Sequence, residues 1–77
     1  MIIKDVKPIG DYLLEVTTDD GRTGTFDVRP YLELEAFAAL VKEEAFAKIM
    51  NGGYYIEWDC GADLSADTVE AHLKIAT

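Results

Sequence analysis

YLLEVTTDDGRTGTFDV, residues Tyr12–Val28, is the stretch on which the fold turns. Its first half alternates, with Tyr12, Leu14 and Val16 on one side and Glu15 and Thr17 on the other. A period of two is the mark of a strand buried on one face. Asp19-Asp20-Gly21 then supplies turn chemistry, because Asp and Gly tolerate the positive φ of tight hairpins. From Arg22 to Val28 the alternation resumes, Phe26 and Val28 facing inward and Thr25 and Asp27 outward. Two such runs joined by a tight turn make an antiparallel hairpin.

Upstream, Ile2–Lys7 is rich in β-branched residues and is closed by Pro8, with a turn at Gly10-Asp11. That adds a strand and makes a three-stranded meander. Downstream, Pro30 ends the third strand, and Leu34, Phe37, Leu40 and Val41 recur at helical spacing, as do Phe46 and Ile49. Lys42-Glu43-Glu44 is expected to separate two short helices that together run to Met50. Asn51-Gly52-Gly53 supplies the left-handed positions that stop a helix. In Tyr54–Trp58, Tyr54, Ile56 and Trp58 alternate with Tyr55 and Glu57, which predicts a fourth strand returning to the sheet with Tyr55 outward. Ser65 fits the N-cap of a last helix and Asp67 its electropositive first turn. Val69, His72 or Leu73, and Ala76 would line that helix's buried side, leaving His72 half-buried. The order β-β-β-α-α-β-α describes an α+β domain with helices over one face of a mostly antiparallel sheet.

Seventy-seven residues make one small domain, 1–77. A core of this size supplies about 3–5 kcal/mol of net stability, so binding to another chain is a better use of it than elaborate catalysis. Seven basic against fifteen acidic residues give a net charge of −8. Such a chain repels phosphate backbones, which disfavours direct nucleic-acid binding, and it favours a basic protein partner. One Cys forms no internal disulfide. No apolar run reaches membrane-spanning length, and Ile-Ile-Lys-Asp after Met1 lacks the layout of a secretory leader, so a cytoplasmic protein is expected.

Val6-Lys7-Pro8, Asp11–Val16, Asp20-Gly21, Phe26-Asp27-Val28, Phe37 with Leu40, Phe46, and Ile56–Thr68 together resemble the bacterial domain of unknown function 2442 family. The specific part is Trp-x-x-Gly-x-Asp-Leu followed by Asp-Thr, from Trp58 to Thr68. The resemblance implies no settled activity. It does imply a companion, since similar domains often sit beside a second small protein in a toxin–antitoxin-like arrangement. It also makes Cys60 a poor candidate for a family-wide chemical role, because the family has a polar residue or proline there.

Asp59, Gly61, Asp63, Ser65, Asp67 and Glu70 occupy alternate and twelfth positions of a calcium-loop count. The match fails at Leu64, where that loop needs Gly, and at Gly61, which offers no side-chain ligand. Cys60, Asp63 and His72 lack the paired spacing of a zinc site. Cys60 and His72 have no spacing that would make a nucleophile and base converge. No convergent catalytic set emerges and no cofactor is expected, so the chain is read as a non-enzyme. The expected contact residues are Tyr55, Glu57 and Asp59 on the fourth strand's outer face, with Asp63, Asp67 and Glu70 at an acidic helix edge. The partner would be a basic protein, with self-association left open. The alternative is a domain that binds a metal or small ligand through the acidic Asp59–Asp67 segment.

Overall fold

The protein is described by a computed structural model covering residues 1–75. The meander forms as the alternation predicts. β1 (Ile3–Gly10), β2 (Leu13–Thr18) and β3 (Thr23–Asp27) pair antiparallel in that order, and a two-residue strand, Lys74–Ile75, adds to β3 at Thr25 and Gly24. Leu14, Val16, Phe26 and Val28 are fully buried. Gly24 permits the close approach of the last strand, since a Cβ there would meet the Leu73 side chain and the Lys74 carbonyl at 2.8 Å.

Pro8 does not end β1, which runs on to Gly10. The strand lies at the sheet edge, where a residue without an N–H is tolerated. Tyr12 departs from the expected inward row. Gly10 pairs with Leu13, so Asp11 and Tyr12 are the corners of a two-residue hairpin loop, at φ 52° and 61°. The pleat is interrupted there, and Tyr12 turns aside to donate its hydroxyl proton to the Val41 carbonyl at 2.6 Å.

The helical cover is shorter and tighter than the spacing predicts. After a 3-10 turn at Arg29–Tyr31 comes a second 3-10 segment, Glu35–Val41. Its buried residues, Phe37 and Leu40, are three apart, which suits three residues per turn. Leu34 precedes this segment in extended backbone and Val41 ends it, and both are exposed. Lys42 is extended and makes the expected break before α1 (Glu43–Ala47). The helix stops there, short of Met50.

Ile49–Asn51 forms β4, which pairs with β5 (Tyr55–Trp58), and β5 pairs in turn with β6 (Asp63–Ser65). The fourth predicted strand therefore belongs to a second three-stranded sheet and does not rejoin the meander. Asn51-Gly52-Gly53 is the turn of a hairpin and not a helix stop. Asn51 still ties the two sheets together, its amide donating to the Ile3 carbonyl at 2.9 Å. α2 (Ala66–His72) follows β6 directly. Val69 is buried and Leu73 partly so, whereas His72 is exposed, and Ala76 lies outside the described residues.

Both sheets and the helical segments share one core. Six of the eight aromatic residues form a continuous chain of ring contacts, Tyr12–Phe46–Trp58–Phe37–Tyr31–Phe26. Trp58 sits at its middle, 1% exposed, and its indole N–H donates to the Phe46 carbonyl at 3.0 Å. The expected core role of Trp58 holds. Among the described residues no helix is long and apolar enough to cross a membrane.

Candidate functional site

The second sheet sorts its residues by strand period. Ile56 and Trp58 of β5 and Leu64 of β6 go inward and are buried. The same pleat sends Tyr55 and Glu57 outward, and the register sets Met50 of β4 and Asp63 of β6 on either side of Glu57. Across the outer face runs the row Met50–Glu57–Asp63, with Tyr55 opposite Ser65 in the next row. Met50 is 60% exposed and Tyr55 47%. The Tyr55 ring lies over Gly52, where a Cβ would come within 2.4 Å of it. Any residue but Gly at position 52 would push the ring off the sheet.

Tyr54 was expected inward with Ile56 and Trp58, yet it is 70% exposed. It sits in the turn before β5, next to Gly53 at φ 85°, where alternation has not begun. The error leaves the face richer. The two aromatic residues outside the core chain, Tyr54 and Tyr55, are both exposed at this hairpin.

Glu57 and Asp63 are direct cross-strand partners. Like charges set opposite one another destabilise a sheet by a few tenths of a kcal/mol to about 1 kcal/mol. Among the described residues neither makes an ion pair or a side-chain hydrogen bond. Their isolation has a cause in sequence: from Ile49 to Leu73 there is no Lys or Arg, while Glu57, Asp59, Asp63, Asp67 and Glu70 all fall within it. Lys48, just before β4, gives its carbonyl to the Asp59 amide at 2.9 Å, but no ion pair joins the two side chains among the described residues.

Of the six expected contact residues, the structure brings Tyr55, Glu57 and Asp63 onto one face. Asp59 lies at the end of β5, in the turn toward β6, and is exposed. Asp67 and Glu70 are exposed on α2, and Glu70 reaches away to Arg22 at a long 3.9 Å. Ser65 caps α2 as expected, accepting from the Thr68 amide at 3.1 Å, which makes its role structural. Met50 is the exposed residue of this face that sequence reasoning missed. The signal was Asn51-Gly52 between two apolar runs, which marks a hairpin and so puts Met50 on a strand.

Two carboxylates flanking β3 are occupied. Asp20 accepts from the Thr18 hydroxyl and the Arg22 guanidinium, which hold its pKa down to about 2. The Arg29 guanidinium grips Asp27 at 2.8 Å and lowers its pKa as well. Among the described residues no three His, Cys, Asp or Glu side chains converge to hold a metal ion. Asp59, Asp63 and Asp67 are spread over a turn, a strand and a helix. Cys60 is a free, exposed thiol in the β5–β6 turn.

Residues 3–74 match the family described as Protein of unknown function (DUF2442), and the chain belongs to that family. No curated protein and no solved structure matches it.

Proposed function

We propose that the chain is a non-catalytic protein-interaction module, the antitoxin-like or regulatory half of a bacterial two-protein system. It binds a basic protein partner through the outer face of β4–β5–β6 and works in the cytoplasm, where the exposed Cys60 thiol stays reduced. The observation that carries this reading is the Glu57–Asp63 pair, unneutralised by its own chain and flanked by exposed Met50 and Tyr55.

An Arg or Lys from a partner, seated between the two carboxylates, would turn a repulsion into two attractions. Tyr55 and Met50 would supply the apolar contact beside it, as Tyr, Met and Arg do at interface centres. The charge of −8 speeds the encounter with a basic surface. The test is co-expression with the product of the adjacent reading frame. A stable complex at low salt that weakens as salt rises is expected. Failure of the two proteins to associate at low salt would remove this partner.

A further inference from the structure

A concavity lies away from the second sheet. It is a groove of about 960 Å³ between the end of the β1–β2 hairpin and the segment from Val41 to Ala47. Pro8 and Tyr12 form one wall, Val41 the other, and the nearly buried Phe46 the floor. Val41 is 53% exposed, an apolar side chain left open at the lip. Asp11, Glu43 and Glu44 stand along the groove against a single cation, Lys42. Among the described residues none of these four makes an ion pair within 4.0 Å, although Asp11 is near enough to Arg29 to stabilise its charge.

The walls are held at a fixed separation. Tyr12 bonds the Val41 carbonyl across the groove and meets Phe46 edge-on, with ring centroids 5.6 Å apart. It does so from the left-handed backbone, φ 61°, that the two-residue β1–β2 loop requires.

We propose that this groove docks a short segment of a protein partner in which apolar side chains alternate with Arg or Lys. The apolar side chains settle on Phe46, Tyr12 and Val41, and the cations meet Glu43, Glu44 and Asp11. The segment is held by its side chains, because Pro8 withholds an N–H where an added strand would seek one. The proposal rests on reading the chain as an interaction module, but not on the outer face of the second sheet.

The test is a titration of the isotopically labelled chain with an acetylated, amidated pentapeptide alternating arginine with leucine, followed by amide shifts. Saturable shifts are expected at Asp11, Tyr12, Val41, Glu43 and Glu44. An equally charged peptide with glycine for leucine should bind about tenfold more weakly or worse, since it has no apolar side chains to bury in the groove. The exposed double substitution Glu43→Lys with Glu44→Lys should weaken binding about tenfold or more at low salt, while Asp63→Lys leaves it within about twofold. Shifts confined to Met50, Tyr55, Glu57 and Asp63 would overturn the groove and favour the outer sheet face. Equal binding of the two peptides, or no saturable shift, would also overturn it.

Discussion

Asp20 and Asp27, at opposite ends of β3, each hold a guanidinium two residues further along, Arg22 at 2.9 Å and Arg29 at 2.8 Å. In the β5–β6 ribbon Glu57 instead faces Asp63 across the strands, and the stretch from Ile49 to Leu73 offers neither of them a Lys or Arg. Both ribbons are antiparallel and both bury an apolar inner face. The difference lies in how the outer charge is treated. Around β3 the chain neutralises carboxylates locally, so they serve the fold; around β5 it leaves them open, at a small cost to the fold. A stability cost on the very face that exposes Met50 and Tyr55 is what an interface awaiting a cation would show.

The largest test strikes the inner face of β5. Trp58→Ala should cost about 3–5 kcal/mol, most of what so small a domain holds, because it empties the centre of the aromatic chain and orphans the Phe46 carbonyl. Urea unfolding measures this, and an unchanged midpoint would break the distinction between an inner structural face and an outer binding one. Next comes the end of β6, where Ser65→Ala should cost about 0.5–2 kcal/mol through the lost cap of α2. It should leave partner affinity alone, which separates Ser65 from its neighbour Asp63.

Asp63→Lys should act in the opposite direction. It converts a like-charged cross-strand pair into an attractive one and should stabilise the free chain by about 0.2–1 kcal/mol at low salt, less at high salt. A thermal melt in two salt concentrations reads the sign.

Smallest is the acid response of the β2–β3 ribbon. Asp20 and Asp27 have folded pKa values below the usual 3.8, so their contribution is present above that value and is lost as pH falls below it, for Asp20 toward about 2. Both pairs are solvent-screened, so the effect is slight. Asp20→Asn should flatten the stability profile in that window. An unchanged slope for Asp20→Asn would place the acid sensitivity elsewhere.

The meander, the turn at Asp19-Asp20-Gly21, the break at Lys42, the cap at Ser65 and the burial of Trp58 were all legible, because each rests on local chemistry or an extended period. The misplacements share a cause. Tyr12 and Tyr54 both extend a true alternation one step too far, into a hairpin corner where the pleat has ended. β4 and β6 are three residues each, too short for a period of two to declare itself. They exist because β5 offers both its edges. The 3-10 segment was read as α-helix because Phe37 and Leu40, three apart, suit either. Of the candidate site, exposed Tyr55 and Asp63 and half-buried Glu57 could be named in advance. Their convergence with Met50 could not, since it depends on a register that only pairing fixes.

On the proposed reading, the outer face of β4–β5–β6 is kept acidic for a basic partner. The most direct test is a calorimetric titration of the adjacent-frame product into the wild-type chain and the Asp63→Lys variant, repeated across a salt series. A loss of affinity of about tenfold or more is expected at low salt for the variant, shrinking as salt rises, despite its greater stability. Equal affinities of the two chains at every salt concentration would contradict this reading.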